Sequence, residues 1–174
     1  MSWRELIKRE IESNYKVTYG LLDLVREEDL NWKPATGSNW MTTAQLLKHL
    51  TTACGMSMKG FVTGDWGMPE GMNIEDLSPE EMLPPAEKLP SIGSVAEARE
   101  LLKQDEKLAF EMLAKCSDED LRNKPAPAPW DPRPRILGHQ LLDMADHLKQ
   151  HKGQLFYYLK LQGKPVNTGH LYGM

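Results

Sequence analysis

The sequence predicts an all-α protein with the architecture of a four-helix bundle. Four segments carry apolar residues at the spacing of an amphipathic helix. Three of them begin with a capping box, in which a hydroxyl side chain and an acid or amide three residues later satisfy each other's free backbone N–H. No segment alternates apolar and polar residues between turn signals, as a strand does. At 174 residues, the chain has the length of a single domain, residues 1–174, with one sizeable core.

The four predicted helices follow from the apolar spacing and from start and stop signals. In chain order they cover about residues 2–30, 42–59, 94–115 and 135–161. The capping pairs are Ser2 with Glu5, Thr42 with Gln45, and Ser94 with Glu97. The fourth helix has no capping box, but Gly163 and Pro165 mark its end.

The connections predict how these helices are arranged. About thirty residues rich in Pro, Gly and Met separate the second helix from the third, whereas a hairpin between antiparallel helices needs about two to eight. A connection of this length can cross the whole bundle, so that helices two and three run parallel. Within it, residues 78–81 favour one short helix. The proline-rich connection "NKPAPAPWDPRPR" precedes the fourth helix, and its stiffness can hold Trp130 in place.

Composition excludes several classes of function. The net charge of -4 argues against a nucleic-acid-binding surface. No apolar run approaches the roughly eighteen residues of a membrane span, and the first residues do not have the pattern of a secretory signal. Cys54 and Cys116 lie far apart without a CxxC motif, so each is expected to be a small buried residue in a protein of the reducing cytoplasm.

Three histidines interrupt the apolar faces of the helices. His151 occupies a core position in the leucine stripe of the fourth helix, and His147 lies one turn earlier, rotated by about 40°. His49 interrupts the inward face of the second helix. Burying three imidazoles costs free energy unless each has a partner, and one divalent metal ion would satisfy all three. The spacing therefore predicts a metal site at His49, His147 and His151. The alternative, in which each is a core histidine satisfied by one hydrogen bond, stays open.

The ligand count and the neighbouring residues bear on the chemistry. Three histidines leave a coordination position open, as in catalytic zinc sites, where a water or thiol can be activated. Leu148 stands where the glutamate of HExxH would be, which excludes that peptidase motif. Asp143 and Gln154 are candidates to hold an imidazole N–H. His139 is predicted to cap a helix or to lie at the surface. His170 lies in the C-terminal tail, where mobility would make it a poor ligand.

The chain resembles the DinB-like superfamily, which also contains thiol-dependent transferases. The resemblance covers "NWMTTAQLLKHL", "HLKQHKGQLFYYLKLQGKPV", and the order and length of the four helices with their long crossover. It implies an up-down-down-up bundle and a metal triad of His49, His147 and His151. Where many members have arginine after the last histidine, this chain has Lys152, which keeps the charge but loses the bidentate guanidinium.

The resemblance also implies a function. It favours a divalent-metal-dependent enzyme on small-molecule substrates, either a thiol (S-)transferase or a hydrolase, with a low-molecular-weight thiol as an expected cofactor. Imidazole suits zinc, nickel, iron and copper alike, and zinc or nickel is the metal expected, with iron or manganese as alternatives. A non-catalytic, stress-related metal-binding or structural bundle protein is the second hypothesis, and a bundle without metal is the third.

The remaining predictions concern the general base, the aromatic residues and the partners of the protein. The sequence identifies no general base. Several aromatic residues could line a pocket but are more often core: Trp40, Trp66, Tyr157, Tyr158 and Tyr172. A homodimer is expected from the family, through unused helix faces and the apolar residues of the crossover, which are Met68, Met72, Leu77 and Met82. Neither a nucleic acid nor a membrane is expected as a partner.

Overall fold

The all-α class is confirmed by a computed structural model, which describes residues 1–82, 84–131 and 133–174. The first predicted helix is α1 (Trp3–Leu22), and its predicted end near residue 30 is wrong, because the chain leaves the helix after Leu22 and forms a separate 3-10 turn at Glu27–Asp29. Its capping box is present, because Ser2 Oγ accepts the N–H of Glu5 and the Glu5 carboxylate accepts the N–H of Ser2. In the described ranges, β-type pairing is limited to two isolated bridges.

The second predicted helix is wrong as a single element, because it divides into α2 (Thr43–Leu50) and α3 (Gly55–Thr63). Two features, one local and one a contact with a distant helix, mark the break. The hydroxyls of Thr51 and Thr52 bond to the carbonyls three residues before them, which competes with the helical pattern. Gly55 lies so close to the following long helix that an added Cβ would collide with its backbone. The predicted capping box at the start of α2 is present.

The crossover contains the predicted short helix, α4 (Pro79–Met82), whose start is capped by Ser78 and Glu81. The third predicted helix is α5 (Val95–Ala114). Its Ser94 caps the N–H of Glu97, but the Glu97 carboxylate accepts from Gly93 instead of closing the box. Leu83 in the crossover and Pro132 in the proline-rich connection lie outside the described residues.

The fourth predicted helix is α7 (Leu137–Leu161), and two short helices were not predicted: α6 (Asp118–Asn123) before it and α8 (Thr168–Tyr172) after it. The two short helices are capped by Ser117 and Asn167 respectively, and both caps are reciprocal. Polar caps on short segments leave little apolar periodicity to find in a sequence, which is why these helices escape prediction.

The long helices pack around a shared apolar core. Both α1 and α3 contact α5 and α7, and α2 contacts α7 as well. The predicted inward positions of the first helix, from Ile7 to Val25, are all buried, and so are Cys54 and Cys116, as predicted. This packing places the junction between α2 and α3 beside the middle of α7, where two of the three histidines lie.

The two long connections meet at an aromatic cluster formed by Phe61, Trp66 and Trp130. Trp66 belongs to the crossover and Trp130 to the proline-rich connection, and their ring centroids are 5.5 Å apart. Phe61 at the end of α3 contacts both rings edge-on. Trp130 therefore packs against Phe61 and Trp66, although it is still 45% exposed. Among the described helices, none has the length and apolarity needed to cross a membrane.

Candidate metal centre

His49, His147 and His151 form one compact group, called here the histidine cluster. The three Nε2 atoms are separated by 3.2 Å (His49–His147), 3.0 Å (His49–His151) and 3.1 Å (His147–His151). All three side chains are half-buried. Among the described residues, these three are the group of His, Cys, Asp or Glu side chains that lie close enough together to hold a single metal ion. The sequence-predicted residues are thus brought together.

The ring of His151 is oriented by a hydrogen-bond chain with a fixed direction. The carbonyl oxygen of Met41 can only accept, so the Tyr158 hydroxyl, 2.9 Å away, must donate to it. That hydroxyl then accepts from the Gln154 amide nitrogen at 3.3 Å. The Gln154 oxygen consequently faces His151 Nδ1 at 3.0 Å and accepts its proton. Therefore Nε2 of neutral His151 presents a lone pair to the cluster.

The ring of His147 is oriented by the backbone. Its Nδ1 lies 3.1 Å from the carbonyl oxygen of Ala53, in the break between α2 and α3. Because a carbonyl only accepts, Nδ1 carries the proton and Nε2 again presents a lone pair. A second bond on the far nitrogen is how proteins fix the tautomer of metal-binding histidines.

With these tautomers, the three Nε2 atoms carry at most one proton among them. His147 and His151 face each other at 3.1 Å with lone pairs on both sides. His49 can supply one N–H at most, which serves one of its two neighbours. A cation at the point on which the lone pairs converge would satisfy all three, so the donor set fits a divalent metal ion.

The environment keeps the imidazoles neutral, which metal binding requires. Burial, together with the adjacent His151 and His147, lowers the pKa of His49 to about 4. Burial likewise lowers the pKa of His147, against the opposing effect of its bond to Ala53. Burial lowers the pKa of His151 too. Near neutral pH the cluster is a set of uncharged nitrogen donors.

Other candidate residues lie elsewhere. Gln154 holds an imidazole as predicted, but Asp143 pairs with Arg135 instead. His139 packs edge-on against Trp3, away from the cluster, and His170 bonds within the cap of α8. Lys152 is buried, and its Nζ donates to the carbonyl of Leu171 at 3.0 Å, so it anchors the tail rather than facing the histidines.

Three groups that orient the histidines are not predicted from the sequence: the Tyr158 hydroxyl and the carbonyl groups of Met41 and Ala53. The sequence predicts Tyr158 only as a pocket or core aromatic, and it is indeed fully buried. Its spacing gave a usable signal, because it follows Gln154 by four residues and His151 by seven, on the same face of α7. The carbonyl of Ala53 could not be found, since it becomes available only through the break. Of the other predicted aromatics, Trp40, Tyr157 and Tyr172 are exposed.

Comparison with known proteins identifies a family. The family model of the DinB superfamily matches residues 10–155, a range that includes all three histidines. No curated protein and no solved structure matches the chain significantly.

Proposed function

The chain belongs to the DinB superfamily, and from that premise we propose that it is a divalent-metal-dependent enzyme acting on small molecules through the histidine cluster. The observation that carries the proposal is the convergence of three Nε2 atoms within 3.2 Å, two of them with tautomers fixed by acceptors. Zinc or nickel is the metal we propose, with iron and manganese as alternatives, since imidazole binds several of these ions.

The charge of the donor set supports an anionic fourth ligand. Three neutral imidazoles do not compensate the charge of a divalent ion. A bound ion would supply Lewis acidity, which lowers the pKa of a thiol or water in the open position. The three imidazoles are half-buried, so they are partly shielded from water, which strengthens electrostatic interactions there.

Thiol transfer is the reaction that these residues support best. The groups that hydrogen-bond the cluster from outside are a backbone carbonyl and an amide, neither of which takes up a proton at neutral pH. An ordinary thiol has a pKa of about 8.5, whereas that of water is about 15.7, so a thiol needs less help from a base. We therefore favour a thiol (S-)transferase using a low-molecular-weight thiol over a hydrolase.

The proposal includes the finer features expected of the family. The ring of contacts among α1, α3, α5 and α7, with the crossover between α3 and α5, supports an up-down-down-up four-helix bundle. A cytoplasmic location and a homodimer remain part of the proposal, and sedimentation analysis of the purified protein tests the dimer.

Metal analysis of the untagged protein tests the binding step. We expect stoichiometric zinc or nickel in the wild-type chain and its loss in His147→Ala, which removes one of three converging donors. His139→Ala is the matched control, because His139 lies on the same helix away from the cluster. Protein that retains no metal after incubation with zinc or nickel would contradict the proposal.

Enzyme assays then separate catalysis from binding. The metal-loaded protein is incubated with small thiols and a panel of chlorinated and epoxide electrophiles, and with simple esters for hydrolysis. We expect thioether formation that His147→Ala abolishes. Full metal occupancy without turnover of any thiol or ester would favour the non-catalytic metal-binding role instead.

A further inference from the structure

Asp105 is a buried carboxylate at the centre of α5 that receives four hydrogen bonds. Its Oδ2 accepts from the Tyr15 hydroxyl at 2.7 Å and from the backbone N–H groups of Cys54 and Gly55 at 3.3 and 3.0 Å. Its Oδ1 accepts from the N–H of Met56 at 2.8 Å. Burial raises the pKa of Asp105, but three of its four partners are backbone N–H groups, which can only donate, so the unprotonated carboxylate is the form that fits.

This carboxylate replaces the cap that α3 lacks. Cys54 stands at the N-cap position of α3 and makes no side-chain cap bond. Asp105, from another helix, accepts three of the free N–H groups at the start of α3, and its charge is favourable at a helix N-terminus. Gly55 permits the approach, since a Cβ there would collide with the backbone of Asp105 and Ala109.

One peptide group links Asp105 to the histidine cluster. The carbonyl of Ala53 accepts the Nδ1–H of His147 at 3.1 Å, and the N–H of the same peptide group, that of Cys54, donates to Asp105. An amide that donates through its N–H becomes a stronger acceptor at its oxygen, because successive hydrogen bonds polarise one another. The chain therefore runs from carboxylate to peptide to imidazole.

We infer that Asp105 is a positioning residue of the metal centre, which acts through the Ala53–Cys54 peptide to orient His147 and to strengthen the bond on its Nδ1. The metal part of this inference rests on the proposed function. Carboxylates commonly bond a metal-binding histidine directly, and here a peptide group is interposed. The inference assigns a role in metal affinity to a residue that touches no histidine.

Asp105→Asn tests this, because it removes the charge while nearly keeping the shape. We expect zinc affinity, measured by competition with a chelator, to fall about tenfold, as for other outer partners of metal ligands. Leu113→Ala is the control for lost stability, since Leu113 is a buried residue two turns further along α5. It should lower the melting temperature without changing zinc affinity. An affinity of Asp105→Asn equal to wild type, or an equal loss in Leu113→Ala, would overturn the inference.

A metal-free readout separates this inference from the proposed function. By NMR, the Nδ1 proton of His147 should lie downfield in the wild type and shift upfield with faster solvent exchange in Asp105→Asn. An unmoved resonance overturns the inference. A wild-type chain that binds no metal contradicts the proposed function and the metal part of this inference, and the resonance alone then decides whether Asp105 orients His147.

Tyr15→Phe is the second variant, for the case that Asp105→Asn does not fold. It removes one donor from Oδ2 and leaves the bond from Cys54, which should strengthen. We expect the His147 Nδ1 proton to shift downfield and zinc affinity to be retained. An upfield or unchanged resonance, or weaker zinc binding, would show that packing of the network matters instead of the peptide link.

Discussion

The positions of single protons decide what the histidine cluster can bind. Because the Met41 carbonyl accepts from Tyr158, the direction of every bond up to His151 follows from it. Tyr158 is also packed edge-on against Trp32 and Trp40, which limits its rotation. The lone pair of His151 is thus set by a residue that does not touch the cluster.

Tyr158→Phe should weaken metal binding. The change removes the donor to the Met41 carbonyl and frees the Gln154 amide to rotate, so that His151 is no longer held in one tautomer. We expect a loss of about 10- to 100-fold in zinc affinity and of about 1–3 kcal/mol in the free energy of unfolding. Chelator competition and urea unfolding measure the two effects.

Tyr157→Phe is the matched control, because Tyr157 is the adjacent residue on α7 and its side chain is 61% exposed. It should alter neither quantity. Zinc affinity that is equal in Tyr158→Phe and Tyr157→Phe would show that the chain from Met41 does not orient His151.

At this scale the sequence contains much of the site. Helical spacing brings His147, His151 and Gln154 to one face of a helix, and the inward position of His49 points to a second helix. The acceptor for His147 is a backbone carbonyl, which has no signature in the residue type, so it could not be predicted.

At the scale of elements, the break between α2 and α3 is the feature on which the site depends. Residues 51–54 turn the chain so that the Ala53 carbonyl faces α7 rather than continuing a helical bond. The break could not be predicted from the sequence for two reasons. The residue that caps the start of α3 is Asp105, about fifty residues away, and the apolar spacing continues across the break. The capped starts of α1, α2 and α5 were predictable because their partners are local.

Gly55→Ala should show how strongly the break depends on contact with α5. The added Cβ would collide with the backbone of Asp105 and Ala109, which neither side can avoid by rotating a side chain. We expect the free energy of unfolding to fall by about 3 kcal/mol and zinc binding to weaken with it, as measured by urea unfolding and chelator competition.

Gly20→Ala is the control for the intrinsic effect of replacing a helical glycine. Nothing lies within 4 Å of a Cβ at Gly20 in α1, so this variant should gain about 0.5–1 kcal/mol. If Gly55→Ala proved as stable as Gly20→Ala, close approach to α5 would not be what shapes the break.

At the scale of the whole molecule, the fold keeps three imidazoles neutral in a half-buried position. The all-α class and the four long apolar stripes were predictable from the spacing alone. The meeting of the two long connections at Trp66 and Trp130 was not, because aromatic contacts between loops depend on the path of the chain.

The stability of the metal-free protein should therefore depend on pH. The pKa of His49 is about 4 in the folded protein, against about 6.5 in the unfolded chain. Between these values the unfolded chain binds more protons, so the free energy of unfolding falls as the pH is lowered from about 6.5 to about 4. The lowered pKa values of His147 and His151 act in the same direction.

Urea unfolding at a series of pH values in the presence of a chelator measures this dependence. His49→Gln removes one titrating group and should give a shallower slope, whereas His139→Gln, at an exposed position, should keep the wild-type slope. A slope in His49→Gln equal to that of the wild type would contradict burial of neutral His49.

The placement of the three histidines along the chain has a consequence for chain entropy. His147 and His151 share one helix, but His49 is 98 residues from His147. Bringing together the ends of a flexible segment of that length costs about 4 kcal/mol of loop-closure entropy, counting only the part that depends on the length of the segment. In the folded chain this segment is already closed, because His49 and His147 are in contact. An ion that meets the unfolded chain faces that cost itself, roughly a thousandfold in affinity. The folded chain is therefore the form that a scarce metal ion selects.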